Sequence, residues 1–417
     1  MDGFRDQFGW NSLTDSQISM EESLITSLQS VGSIFGALFN SVLLDRIEVL
    51  YVGRLIGGFG VGMLAMSVPV YIGECSPSHK RGQLTTFWQV GVTVGMLIGT
   101  AVNLGVSHLE YGWRFSYGGP IFFALLLALS MATFMPESPR YLASKEDSEE
   151  QREQVQKVLS KLRYEEEVQH STDAIESELA EERELGIASW AEIFRKTDKM
   201  RYRVFLGVGM QFLNQLSGNE TINFYAPKIL SNVFSNSQSL LSSFLLGVVN
   251  LVAVIFALFT VDRVGRVPLW MMGGVVMLLA QIVNSILQSL EPSNAVNISF
   301  LVGLSVFTFA YHGTMGPLAW DICSEMFPAR DRGKAVGLTT MANFLGVVIV
   351  GAVFPYAMSA SPAGAFAFFC VMLFINMCLV YFFLPETAER SPLQIEEEFK
   401  EHKPKLVRNV LTKPHHE

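Results

Sequence analysis

Charge is what this sequence has least of. Asp, Glu, Lys and Arg make up only 17% of its 417 residues, against 50% hydrophobic side chains, and the mean hydropathy is +0.32. A soluble domain carries about 25% charge, so this composition excludes a fold held in water alone and calls for a second solvent. Cysteine is also scarce. Cys75, Cys323, Cys370 and Cys378 lie in or beside apolar runs without metal-ligand spacing, as small apolar side chains packed between helices do. Met1–Met20 is polar and has no apolar core of a leader, so no cleavable signal peptide is expected. No nucleophile motif, metal cluster or phosphate-binding glycine loop stands out, so neither an enzyme nor a cofactor or metal is expected. The net charge of −9 comes from acids crowded into one segment rather than from a face, and nucleic acid is not expected as a partner.

The apolar residues are gathered into runs about as long as a bilayer is thick. Ser23–Leu44, Thr85–Val106, Ile121–Met135, Leu240–Val261, Pro268–Leu290, Ile298–Trp320, Ala335–Met358 and Gly364–Leu384 contain no Lys, Arg, Asp or Glu. Val49–Gly73 contains only Arg54, and Phe205–Pro227 only Glu220. Ten membrane-spanning helices are therefore expected. From the second run onward the short connections alternate in charge. Lys80-Arg81, Arg263 with Arg266, and Arg330, Arg332 and Lys334 mark one side, which the positive-inside rule makes cytoplasmic together with the C-terminus. Between the fourth and fifth spans, Ala143–Arg203 is rich in Glu, Lys, Gln and Leu and predicts short amphipathic helices on that side.

Internal repeats organise these spans. Glu74-Cys-Ser-Pro-Ser-His-Lys-Arg81-Gly82 and Glu325-Met-Phe-Pro-Ala-Arg-Asp-Arg332-Gly333 share the pattern E-x-x-P-x-x-x-R-G at an offset of 251 residues. Pro136-Glu137-Ser138 returns as Pro385-Glu386-Thr387 at an offset of 249. Two halves in parallel are implied, as in transporters built from duplicated bundles. Asp45-Arg46 and Asp262-Arg263 are offset by only 217, a shortfall of 34 residues against 251. That is about one span and a loop.

Taken in order, these motifs resemble the sugar-porter family of the major facilitator superfamily, from about Ser23 to Phe399. The resemblance is carried by Gly53-Arg54 with Gly57, Gly58, Gly60 and Gly62; Pro69-Val-Tyr71-Ile-Gly-Glu74; Arg81-Gly82; Trp113-Arg114; Pro136-Glu-Ser-Pro-Arg140-Tyr-Leu142; Asp262-Arg-Val-Gly-Arg266; and Pro385-Glu-Thr387. It implies an all-α membrane protein of two helical bundles, with about ten spans here where the family has twelve. The organisation expected is an incomplete N-terminal bundle (1–142), a cytoplasmic central loop with short helices (143–203), a C-terminal six-helix bundle (204–386) and a cytoplasmic tail (387–417). Only Ile47 and Glu48 separate Asp45-Arg46 from the run that begins at Val49. Two residues cannot cross a hydrocarbon layer about 30 Å thick, so the N-terminal bundle is expected to depart from the family's complete form and transport by the chain as written to be impaired.

The implied function is transport of a hexose or pentose by alternating access in the plasma membrane, with proton coupling left open. Alternatives are another polyhydroxylated solute such as inositol or quinate, a non-transporting sugar sensor, or an inactive short form. Amides that both donate and accept, with an indole to stack on, suit a sugar's hydroxyls and flat apolar face. The resemblance places sugar contacts on Gln89, Asn214, Gln215, Asn250, Trp320 and Asn343. Where the family pattern has an asparagine stands Glu220, an intramembrane carboxylate able to titrate or to receive a basic or strongly hydroxylated solute. Glu74, Arg81, Asp262, Arg263, Arg266, Glu325 and Arg332 are expected to form a charge network that gates the cytoplasmic side.

Overall fold

The computed structural model describes residues 47–77, 81–109, 112–145, 149–185, 190, 192–195, 199–231, 236–291, 293–388 and 392–401. The expected span Ser23–Leu44 and the Asp45-Arg46 pair lie outside the described residues. Among the described residues every regular element is helical. In chain order they are α1 (Ile47–Cys75), α2 (Arg81–Val106), α3 (Gly112–Gly118), α4 (Pro120–Phe134), α5 (Pro139–Lys145), α6 (Glu149–Leu162), α7 (Glu165–Leu185) and a 3₁₀ turn at Glu192–Phe194. There follow α8 (Met200–Gln215), α9 (Asn219–Ser231), α10 (Asn236–Val264), α11 (Arg266–Leu287), α12 (Asn294–Gly313), α13 (Met315–Glu325), α14 (Ala329–Ala360), α15 (Pro362–Phe383) and α16 (Pro392–Glu401).

Eight stretches are helical, long and apolar enough to cross a bilayer: Gly53–Cys75, Phe87–Val106, Arg114–Phe134, Gln238–Val261, Arg266–Leu287, Asn294–Glu325, Arg330–Ala360 and Pro362–Phe383. These match eight of the expected runs. The ninth, Phe205–Pro227, is not one helix but two, α8 and α9, which meet at a buried break over Leu216–Gly218. A second interruption falls inside the run Ile298–Trp320. Thr314 stands at φ −141° and ψ −88°, ending α12 and starting α13.

The chain clusters into two compact units. The first holds the described parts of 1–71 and 105–138. There the Tyr71 hydroxyl donates to the Pro136 carbonyl at 2.7 Å and the Arg54 guanidinium lies 4.9 Å from the Tyr117 ring centre. Its helix α4 buries none of its residues and exposes Phe122, Phe123, Leu125, Leu126 and Leu129. The second unit holds 72–104 and everything from Pro139 onward. Its core runs from Ile193 to Phe399; α8 packs on α14 and α15, α11 on α12 and α15, and α10 on α12.

Helix α11 shows why the solvent for this unit is hydrocarbon. Its inward face carries Trp270, Gly273, Gly274, Met277, Gln281 and Asn284, while Met272, Val275, Val276, Leu279, Ile282, Val283 and Ile286 face outward. The polar residues are inside and the outside is wholly aliphatic, the reverse of a helix in water. Four-residue spacing predicts close helix approach, yet among the described residues no heavy atom lies within 4 Å of a Cβ built on Gly57, Gly58, Gly62, Gly91, Gly95 or Gly99.

Helices α5, α6 and α7 form a small cluster around Leu142, Val155 and Leu159. Arg163, just after α6, donates to the Ser76 carbonyl beyond α1 at 3.0 Å. The 3₁₀ turn is held against the start of α14 by two ion pairs. Arg195 meets Asp331 through both carboxylate oxygens at 2.8 Å, and Arg330 meets Glu192 at 3.3 Å. Between them Ile193 is fully buried. Helix α16 docks through Phe399, whose ring lies 4.6 Å from the Arg203 guanidinium, and Arg203 in turn donates to the Met326 carbonyl at 3.1 Å.

Candidate functional site

The break between α8 and α9 is written into the sequence Asn214-Gln-Leu-Ser-Gly-Asn-Glu220. Serine and asparagine side chains compete with the helical ladder for backbone groups, and glycine accepts backbone angles that other residues resist. Ser217 donates from its hydroxyl to the Asn214 carbonyl at 2.6 Å, and the Ser217 amide reaches the same carbonyl at 3.2 Å. Gly218 sits at φ +96°, and a Cβ there would meet the Phe369 ring at 2.6 Å. The turn is therefore both left-handed and tightly packed. Helix α9 restarts with the Ile222 amide on the Gly218 carbonyl at 3.2 Å.

Amides converge on this break from several helices of the second unit. Asn214 donates to the Tyr311 hydroxyl at 3.1 Å, joining α8 to α12. Asn219 donates to Glu220 at 3.3 Å, and Asn250 of α10 donates to Asn223 of α9 at 3.4 Å. Asn343 of α14 donates to Gln211 at 2.7 Å, and Gln211 donates onward to the Ala319 carbonyl at 3.0 Å, next to Trp320. The Trp320 ring makes an edge-to-face contact with Trp88 of α2, centre to centre 5.7 Å. Tyr225 closes the far side by donating to the Gly351 carbonyl at 2.8 Å.

Five amide oxygens here have no hydrogen-bond partner although they are buried: those of Asn214, Gln215, Asn219, Asn250 and Gln281, whose nitrogen donates to the Ser217 carbonyl at 3.3 Å. The side-chain nitrogen of Asn223 is in the same condition. A buried polar group without a partner costs about 1–3 kcal/mol, so several in one place mark a site that a polar ligand completes.

Of the residues singled out in the sequence, Asn214, Gln215, Glu220 and Asn250 come together around the break. Asn343 is committed to Gln211, Trp320 lies beside that pair, and Gln89 is half-buried on α2 next to Trp88. Sequence reasoning missed Gln211 and Tyr311. Gln211 stands four residues before Gln215 on the same helix face, a signal that was available; Tyr311 offered only its position three residues before Thr314.

The charged set divides. Arg266 pairs with Glu325 at 2.8 Å, and the other oxygen of Glu325 accepts from the Thr387 hydroxyl at 2.6 Å. Glu386 accepts from the amides of Arg266, Val267, Thr387 and Ala388 at 2.8–3.1 Å. Gly265, at φ +97°, makes the turn that brings these amides round. Gly265-Arg266 and Glu386-Thr387 are thus parts of one knot joining α10, α11, α13 and the chain after α15. Arg332 donates to the Phe327 carbonyl at 3.3 Å. Arg263 is exposed and Glu74 is half-buried near the end of α1, while the side chains of Arg81 and Asp262 lie outside the described residues. Glu325→Gln weakens a charge-assisted bond to Arg266, at a cost of about 1–2 kcal/mol. The expected result is faster amide hydrogen exchange at residues 385–388 with little change around α9; equal exchange in both variants would detach Glu325 from the knot.

Among known proteins, the family model described as Sugar (and other) transporter matches residues 45–399. Sugar transport protein 7 of Arabidopsis thaliana is 32% identical over 356 residues, covering 82% of this chain and 67% of that protein. H(+)/hexose cotransporter 2 of Parachlorella kessleri is 31% identical over 370 residues, covering 86% and 67%. The chain therefore spans about two thirds of the length of these two relatives. A partially occluded inward-open structure of the xylose transporter XylE from E. coli superposes with a TM-score of 0.69 at 26% identity, covering 88% of this chain and 80% of that one.

Proposed function

We propose, from the premise that this chain belongs to the sugar (and other) transporter family, that it carries a hexose or pentose across a lipid bilayer by alternating access. The observation that carries the proposal is the ring of unpartnered amide groups at a broken helix in the middle of a bundle. A monosaccharide supplies hydroxyl donors and acceptors in several directions, which is what those groups lack. Asn214, Gln215, Glu220 and Asn250 hold the solute, the Gln211–Asn343 pair fixes one wall, and Trp320 with Gln89 offers a flat surface and an amide on another. The knot at Arg266, Glu325 and Glu386, with Glu74, Arg81, Asp262, Arg263 and Arg332, biases the opening of the cytoplasmic side. The C-terminus and the segment 143–203 face the cytoplasm, following the positive loops, and the plasma membrane is the site of action. Protons enter as co-substrate on the example of H(+)/hexose cotransporter 2 of Parachlorella kessleri.

Reconstitution into liposomes tests this. Saturable counterflow of at least one of glucose, galactose, mannose, xylose or arabinose is expected, and an inward-acid pH gradient is expected to raise uptake. Saturable binding without counterflow would turn the reading toward a sensor; transport of inositol or quinate alone would move the substrate class. Gln215→Ala is expected to weaken binding of the transported sugar by about 1–3 kcal/mol, the loss of one buried hydrogen bond, with membrane insertion intact. Unchanged affinity in a well-inserted variant would place Gln215 in packing against Gly346, whose position a Cβ would share with the Gln215 stem.

A further inference from the structure

The unpartnered groups at the break are strongly unequal in kind. Five are amide oxygens that can only accept, on Asn214, Gln215, Asn219, Asn250 and Gln281; one is a donor, the Asn223 nitrogen; and one, the Thr221 hydroxyl, does both. Beside them stands the half-buried Glu220 carboxyl, to which the neutral Asn219 amide donates at 3.3 Å. Tyr311, on α12, is the titratable neighbour, tied to Asn214 by its hydroxyl. Among the described residues no Lys or Arg pairs with Glu220, in contrast to Glu325, Asp331 and Glu192, each of which has its arginine. A carboxylate taken out of water without a cation is costly unless it takes up a proton or a cation arrives from elsewhere. An ordinary hydroxyl both donates and accepts and leaves such a charge uncompensated. An ammonium group only donates, carries the missing charge, and forms hydrogen bonds to carboxylate and amide oxygens that are about twice as strong as neutral ones.

We infer that the site at the α8–α9 break selects an amino-deoxy monosaccharide, with Glu220 and the neighbouring amide oxygens receiving its ammonium group. This rests on the monosaccharide reading of the same site and narrows it. The sugar ring's remaining hydroxyls fall to Gln215 and the Asn223–Asn250 pair, so specificity comes from one charge added to a hydroxyl-reading cavity.

Calorimetric titration of the purified full chain near neutral pH, with glucosamine and galactosamine against glucose and galactose, tests the inference. At least one amino sugar is expected to bind about tenfold or more tighter than its hydroxy parent, the worth of one charge-assisted contact. N-acetylglucosamine, which keeps the nitrogen and loses the charge, is expected to bind no tighter than glucose, so the unaltered protein alone reports on the charge. In Glu220→Gln the ratio between amino sugar and parent is expected to fall to about one, with Glu220→Asp retaining part of it. If the parents bind and the amino sugars gain nothing, this inference is overturned while the monosaccharide reading stands. If the ratio is present but survives Glu220→Gln, the ammonium is held elsewhere and the assignment to Glu220 is overturned. If neither class binds, both readings fall together.

Discussion

Gly218→Ala is expected to lower the unfolding temperature of the purified protein and to abolish saturable ligand binding. Two costs add at this position. The left-handed backbone at φ +96° costs a residue with a Cβ about 1–2 kcal/mol. The Cβ would also press on the Phe369 ring at 2.6–3.0 Å, and overpacking of this kind costs about 1–3 kcal/mol. The ring has nowhere to go, since Phe354, Phe366 and Phe368 flank it at centre distances of 6.0–6.3 Å. Together about 2–5 kcal/mol is at stake, and the parts can be separated. Adding Phe369→Leu relieves the clash and is expected to restore only the packing share of the stability. Full recovery in the double variant would mean that the backbone angle is unimportant; no loss in the single variant would mean that the break does not depend on glycine at all.

The second large effect is expected at Asp331, whose side chain is fully buried while Arg195 keeps partial contact with water. Asp331→Asn leaves that guanidinium facing a neutral amide. Removing one partner of a wholly buried pair costs about 3–5 kcal/mol; the water left to Arg195 reduces this to about 1–3 kcal/mol. The loss is expected to be local, as faster hydrogen exchange over residues 190–195 and easier proteolysis of the segment before α8. Arg195→Ala together with Asp331→Ala is expected to be milder than Asp331→Ala alone, because no charge is then stranded. Equal stability of all three would show that Ile193, not the ion pair, anchors the turn.

The spans were legible because membrane helices announce themselves by composition: Leu240–Val261 and Gly364–Leu384 fall almost residue for residue within α10 and α15. What composition hides is where a run is interrupted. Phe205–Pro227 and Ile298–Trp320 read as continuous because apolar residues surround the interruptions, yet Ser217-Gly218 and Gly313-Thr314 end helices there. The local signal was present, as serine, threonine and glycine next to amides, but apolar length outweighed it. Amides at the candidate site were legible for the same reason that charges in the runs were: polar groups in hydrocarbon stand out. Their partners were not. Gln211 meets Asn343 across 132 positions and Arg195 meets Asp331 across 136, and separations of that size are settled by helix packing, about which periodicity says nothing. The sequence put Arg266, Glu325 and Arg332 in one charge network without saying which meets which; the turn at Gly265 delivers α11 so that Arg266 meets Glu325.

Two of the ion pairs of the polar segment differ in a way that their lengths conceal. Arg152–Asp173, between α6 and α7, is the shorter at 2.6 Å, but its side chains are 42% and 54% exposed. Arg195–Asp331 is 2.8 Å long with side chains 21% and 0% exposed. Dissolved ions screen charges over about 8 Å at physiological ionic strength, and they act on what they can approach. Counterions therefore reach the first pair and are largely kept from the second. Rising salt loosens the hold of α6 on α7 while leaving Arg195 fastened to Asp331 at the start of α14. Within a single segment of the chain, ionic strength thus separates an exposed ion pair from a sheltered one.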